Sequence, residues 1–432
     1  MPLFEQHPLR EVLSNEVHAR PPVPMTAPEV VSYLAFVHEN GSAEREPAHL
    51  ALLAELLDLP APDPSSGHLF IDAGAFRLKW ERHNEFSSYA FLRRVQPGIS
   101  DSDNSALLHV PAAWRKDIPG KVIAATHIEL RSAHEVSPAH VMQQISPEGE
   151  AQVVTQVADG AGWVFTDFQV HDGFSRFLII DAGLTPRQAG RTVQRLVEIE
   201  TYRVMALLAF PVAKEVGRLL SRAEDELADI MDGLNQVRSS EDDRRMLGRL
   251  TLLAAKVERS VARNTFRFGA AAAYYGMVQQ RIAELREQRQ PGSPTIREFM
   301  ERRLAPAINT CATMARRQDD LSGRIARNSQ LMRTRVDIEL ERQNQELLAQ
   351  MNRRAKIQLH LQETVEGLSV VAITYYASQL VNYVAKGATD FIAPATPEII
   401  TAISIPIIAG LVFMGMRRMR KLLTKEAEES VG

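Results

Sequence analysis

The sequence holds a single cysteine, Cys311, in 432 residues. One thiol permits no internal disulfide and no cysteine-based zinc site, and it points to a reducing, cytoplasmic setting. Charge of one sign is also scarce. Lys plus Arg total 50 against 53 Asp plus Glu, a net charge of −3. That balance excludes a protein that holds nucleic acid by bulk charge. Aromatic residues are only 6% of the chain, yet apolar residues reach 45% and charged residues 24%. Those proportions exclude wholesale disorder, a collagen-like fibre and a polytopic membrane protein. The N-terminus MPLFEQHPLREVLSNEVHARPP has no basic stretch followed by an apolar run, so no cleavable secretory signal is read there. Also lacking are a Walker-type Gly-Lys-Ser/Thr loop, a GxSxG elbow, an HExxH pair and a dinucleotide-binding glycine pattern.

What is present divides by periodicity. Residues 27–58 are expected to form two helices, APEVVSYLAFVHEN and AEREPAHLALLAELLDL, each with apolar residues at helical spacing. PAPDPSSG at 60–67 is a loop. Short apolar and aromatic runs follow at 68–95, 121–130, 151–158, 163–170 and 174–181, and they predict strands. His171-Asp172-Gly173 between the last two predicts a hairpin turn. The expected fold class is α+β, with an N-terminal, mainly antiparallel sheet and helices over residues 1–184.

From Leu184 the strand signals stop. Thr185 followed by Pro186 predicts a helix start, and Pro211 an interruption. A second helix is expected from Ser239-Ser240 to about Gln288, with Glu241, Asp242 and Asp243 in its first turn. The apolar run 268–280 is too short to span a bilayer and predicts a buried helix face. A third helix begins at Thr295 and meets no strong break beyond Pro306 before residue 387. Its stripe of Leu321, Ile325, Met332, Val336, Leu340, Leu347, Met351, Ala355, Leu361 and Val365 calls for partners. Antiparallel packing within the chain and self-association as a coiled-coil-like homo-oligomer both satisfy it. Residues 185–366 are therefore read as a long helical region.

Two uncharged segments near the end differ from everything before. Residues 367–385 (GLSVVAITYYASQLVNYVA) and 399–416 (IITAISIPIIAGLVFMGM) fall in the window for spanning helices, and together predict a transmembrane hairpin over 367–416. Arg353, Arg354 and Lys356 precede the first segment. Arg417, Arg418, Arg420, Lys421 and Lys425 follow the second, in a basic tail over 417–432. By the positive-inside bias both termini are cytoplasmic, the loop faces outward, and the partner is the lipid bilayer of the inner membrane. The first segment carries Thr374, Ser378 and Asn382 at four-residue spacing, with Gln379 beside them. This polar stripe is either glue between helices or the wall of a water-filled path.

Candidate chemistry is sparse. Glu16, His18 and Arg20 form one cluster near the N-terminus. Glu81, His83 and Glu85 form a second. If that second cluster lies on one strand, its three side chains share a face, a row able to bind a metal or move a proton. A salt-bridged surface seam with Arg20 and Arg82 is the alternative. Glu198, Glu200, Tyr202 and Arg203 form a dense cluster read as structural, and Cys311 reads as an inert buried thiol. No cofactor is implied, and no protein partner can be named.

HPLREVLSNEVHARPP, LKWERHNEFSSYAF, VHDGFSRFLIID, RLVEIETYRVMALLAFPVAKE, REFMERRLAPAINTCATMARRQDDLSGRIARNSQLMRTRVDIELE and LQETVEGLSVVAITYYASQLVNYV together resemble the bacterial membrane-anchored proteins of domain of unknown function 3422. The resemblance covers nearly the whole chain. It implies a membrane anchor and brings no catalytic residue with it. The order of a cytoplasmic domain, long helices and a two-span hairpin is also distantly similar to the CorA-type magnesium channels. The Gly-Met-Asn motif of those channels is missing from the loop KGATDFIAPATPE. The sequence thus points first to a non-enzymatic anchor or scaffold. The alternatives are an oligomeric ion channel and a metal-dependent enzyme built on the Glu/His clusters.

Overall fold

The computed structural model describes all residues except 1–3, 5, 11–12, 15–20, 40, 97–104, 145–151, 235–239, 388–395 and 430–432. The described residues form two compact units. The first comprises residues 1–237 and 245–330, the second 238–244 and 331–432.

The first unit is built on a mixed sheet of ten strands among the described residues. They are β1 (Glu29–Val37), β2 (His68–Asp72), β3 (Arg77–Arg82), β4 (Phe86–Arg94), β5 (Lys121–Ser132), β6 (Val153–Val157), β7 (Gly162–Thr166), β8 (Val170–His171), β9 (Phe174–Asp181) and β10 (Gln288–Arg289). Their order is β10-β6-β7-β9-β5-β1-β4-β3-β2, with β8 paired to β9 beside that path. Only the β5–β9 pair is parallel; the other pairs run antiparallel. The expected α+β class and largely antiparallel sheet are present, and the parallel pair makes the sheet mixed.

One expectation is corrected at the centre of this sheet. EVVSYLAFV, read as a helix, is strand β1, paired on both sides by β4 and β5. Eight of its nine residues are buried, because both sheet faces are covered. A strand buried on both faces loses its alternation and becomes a continuous apolar run, which a 3.6-residue period fits equally well. The β-branched and aromatic content, Val30, Val31, Tyr33, Phe36 and Val37, was the better guide. The second expected helix is present as α1 (Ser42–Leu56).

One sheet face is covered by α1, a 3-10 turn (Ala106–His109) and α2 (Ala112–Lys116). Between them and the strands lies a core of Leu34, Phe36, Leu53, Leu78, Trp80, Tyr89, Phe91 and Trp114. The Trp114 ring meets Tyr89 and Phe91 edge-on at centroid distances of 6.3 and 6.4 Å, and its Nε1 donates to the His49 carbonyl at 2.7 Å. Each buried side chain of this size contributes about 1.5–3 kcal/mol. Further along the same face, α3 (Pro138–Gln144) covers Val154, Phe165 and Ile180.

The opposite face is covered by α4 (Pro186–Leu207), which contacts β5. The Thr201 hydroxyl meets the buried Tyr33 hydroxyl at 3.2 Å. Thr185 caps α4 as expected. Its Oγ1 accepts from the Gln188 N–H at 3.3 Å, and the Gln188 side chain accepts from the Thr185 N–H at 2.9 Å, a complete capping box. The helix breaks at Leu208 and resumes as α5 (Ala209–Leu234), because Pro211 has no N–H for the Leu207 carbonyl. Helix α6 (Ser240–Leu285) buries Phe268, Ala271, Tyr274 and Val278, one face of the run read as a buried helix face. A break at Leu304, just before Pro306, separates α7 (Ile296–Arg303) from α8 (Ala305–Gly387).

The second unit contains the C-terminal part of α8 and α9 (Pro397–Glu429). Met332 and Val336 are buried, and Arg335 pairs with the buried Asp243 at 3.2 Å. Beyond them the stripe changes character. Ile338, Leu340, Leu347, Met351, Ile357, Leu361 and Val365 are all exposed. Among the described residues one helix is long and apolar enough to cross a membrane, Pro397–Met419, with mean hydropathy 2.3. The stretch 367–385 is helical, as the end of α8, but Gln379, Asn382 and three tyrosines dilute its apolar character.

Candidate functional site

The cluster Glu16, His18, Arg20 lies outside the described residues. The second cluster does not form the expected row. Strand β3 ends at Arg82, and residues 83–86 make the turn into β4, closed by the His83 N–H donating to the Phe86 carbonyl at 2.8 Å. Asn84 is the turn signal that the strand reading passed over. Side-chain alternation therefore stops before Glu85. Glu81 pairs with Lys79 at 3.1 Å, the His83 ring stacks on Phe86 at 4.4 Å, and Glu85 accepts from Arg267 of α6. Among the described residues no group of three or more His, Cys, Asp or Glu is arranged to hold a metal ion.

The polar stripe of the first apolar segment is partly internal to the chain. Thr374 and Ser378 are buried, whereas Gln379 and Asn382 are half-buried. Ser378 Oγ donates to the Tyr375 carbonyl at 2.8 Å, and Thr374 Oγ1 is buried without a hydrogen bond among the described residues. Ala385, further along the same helix, is also buried, and Ile400 of α9 lines one small pocket with Leu380, Val381, Val384 and Ala385.

One concave site in the first unit was not anticipated. It is a cavity of about 810 Å³ on the sheet face that carries α1, α2 and α3. Ser32 of β1, His127 of β5 and Arg176 of β9 lie side by side in register on three neighbouring strands. Residues opposite each other on adjacent strands bring their side chains together on one face. Ser32 Oγ is 3.0 Å from Ser105 Oγ and 3.1 Å from His127 Nδ1. The His127 ring stacks on Phe174 at 3.9 Å. Burial, reinforced by the positive charge of Arg176, pushes the His127 pKa down to about 4, so the ring is neutral at physiological pH.

The rim is charged. Arg176 pairs with Asp172 at 3.1 Å and His171 with Asp167 at 2.7 Å, both around the β8–β9 turn. That turn is the one read from His171-Asp172-Gly173. Asp172 and Gly173 have φ of 53° and 86°, the left-handed geometry that Asp-Gly tolerates. A cavity of this size with a few convergent polar groups and one strongly shifted histidine has the features of a small-molecule site. Its components come from positions 32, 105, 127 and 176. The one local hint is a histidine inside the apolar strand KVIAATHIEL.

A sequence model for the family described as "Protein of unknown function (DUF3422)" matches residues 5–423. The chain belongs to this family. The DUF3422 match spans the sheet and the helices alike, including every residue of the cavity. No curated protein and no solved structure matches the chain, and the likeness to CorA-type channels finds no support there.

Proposed function

We propose that this DUF3422 protein is an integral protein of the inner membrane that tethers its α+β unit on the cytoplasmic face, acting as a non-enzymatic anchor or scaffold. The observation that carries this reading is α9. None of its apolar window, Pro397–Met419, is buried within the chain. Ile403, Ile405, Ile407, Leu411, Phe413 and Met414 are exposed. Leaving such side chains in water forgoes about 1.5–3 kcal/mol each, whereas a bilayer takes them up. Residues 367–385 supply the other half of a two-helix hairpin. The burial of Thr374, Ser378 and Ala385 supports its closure by small residues and favours helix contact over a pore for the polar stripe. The exposed bases Arg353, Arg354 and Lys356 on one flank and Arg417 and Arg418 on the other support a cytoplasmic position for both ends. The exposed stripe from Ile338 to Val365 supports self-association as part of the same reading.

The test is topology mapping in cells. With Cys311→Ser as background, Thr396→Cys should react with a membrane-impermeant maleimide from outside. Met419→Cys should react only after permeabilisation. Release of the chain by alkaline carbonate, or equal labelling at both sites in intact cells, would overturn the proposal.

A further inference from the structure

The cavity over β1, β5 and β9 is independent of the membrane reading, and its hydrogen bonding is specific enough to say what it takes. Ser32 is wholly buried, and its single hydroxyl proton is shared between Ser105 Oγ and His127 Nδ1. Two arrangements satisfy this chain of three groups. In one, Ser105 donates to Ser32, Ser32 donates to Nδ1, and the neutral imidazole carries its proton on Nε2. In the other, Nδ1 donates to Ser32, Ser32 donates to Ser105, and the Ser105 hydroxyl is left to donate. Either way one donor is presented at an end of the chain, and Nε2 has no hydrogen bond to the described residues.

In the first arrangement that donor is Nε2–H, and beside it stands Arg176, in register with His127 on the parallel strand β9. Its protein partner Asp172 is 89% exposed and Arg176 itself 51% exposed. A pair this open holds weakly, so the guanidinium can exchange Asp172 for a ligand at little cost. A guanidinium fork beside a neutral hydrogen-bond donor is the arrangement that recognises an oxyanion. The acids Asp167, Asp172 and Glu129 around the rim oppose a second negative charge, which disfavours a phosphate dianion. Phe174, Phe165 and Leu178 give the cavity an apolar wall.

We infer that this cavity binds a small organic carboxylate, its carboxylate held by Arg176 and the Ser105–Ser32–His127 chain and its apolar body resting on Phe174, Phe165 and Leu178. The test titrates the full chain in detergent micelles with benzoate, and separately with inorganic phosphate, by calorimetry. Benzoate should saturate one site. Arg176→Gln should weaken it at least tenfold, and His127→Gln several-fold. Asp172→Asn, which removes the competing carboxylate from Arg176, should tighten it several-fold. Arg176 and Asp172 are exposed, so both variants should keep the native far-UV circular dichroism. Absence of saturable benzoate binding, affinity unchanged by Arg176→Gln, or phosphate binding as tight as benzoate would overturn the assignment.

Discussion

Replacing Ile407 with arginine isolates the solvent that α9 occupies. Ile407 adjoins the midpoint of the 23-residue apolar window and is 57% exposed, and none of that window is buried inside the chain. The substitution therefore removes almost no packing, and its cost is set by what surrounds the helix. If that is hydrocarbon, isoleucine contributes roughly −0.3 to −0.6 kcal/mol to insertion and arginine opposes it by about 2.5–3.5, a change of about 3–4 kcal/mol. At 1.4 kcal/mol per factor of ten, this is roughly a 10²–10³-fold shift in the insertion equilibrium. Adding Leu411→Arg, one turn further and 63% exposed, should roughly double the cost. The assay is the fraction of full chain that resists alkaline carbonate extraction. It should fall in I407R and collapse in the double variant. The control is Leu252→Arg on α6, 73% exposed in the first unit, where a surface change stays within about 0.5 kcal/mol. Equal carbonate resistance of the double variant and the native chain would refute the reasoning, since an uninserted helix pays no such cost.

Two further predictions concern the first unit. Gly190 on α4 lies directly under the segment that carries Val23. A Cβ there would sit 1.9 Å from the Val23 carbonyl oxygen, so Gly190→Ala must push backbone aside. It should cost about 1–3 kcal/mol, and hydrogen exchange should show lost protection of the Met25 amide, which donates to the Pro186 carbonyl at 3.0 Å; an unchanged Met25 amide would contradict the packing described. The His127 imidazole should titrate by NMR near pH 4. Because the unfolded ring binds its proton near pH 6.5 and the folded ring only near 4, stability present above pH 6.5 should decline as the pH falls between those values, by at most about 3 kcal/mol. Titration at an ordinary histidine pKa would mean that the ring is not desolvated as described.

Much of this arrangement can be read along the chain where a local rule is sufficient. The Thr185 cap, the Asp172-Gly173 turn and the breaks near Pro211 and Pro306 each follow from one or two residues, and each is present. The strands from β2 to β7 and β9 announce themselves by short aromatic and β-branched runs. β1 does not, because a central strand covered on both faces has lost the alternation that marks strands. The Glu81, His83, Glu85 row failed for a related reason: alternation was extended through Asn84, where the chain turns. The cavity was illegible for a different reason. Ser32, His127 and Arg176 are separated by dozens of residues and become neighbours only through strand register, while Ser105 reaches them from the start of the 3-10 turn. A turn fixes register only within its own hairpin, and no hairpin joins β1 to β5 or β5 to β9.

The outermost strand of the sheet has a consequence for how the chain can be made. β10 pairs with β6, and the Thr155 hydroxyl donates to the Gln288 carbonyl across 133 residues of sequence. The Ala158 amide likewise reaches the Leu285 carbonyl at 2.9 Å. During synthesis, then, β6 waits with its outer edge unpaired while α4, α5 and α6 are added. An open edge is where strands from different chains join, and contacts this distant in sequence form slowly. A fragment ended after β9 would keep that edge open for good. The helices between β9 and β10 thus stand inside the folding unit of the sheet, and a recombinant soluble piece has to extend past Arg289 to close its own border.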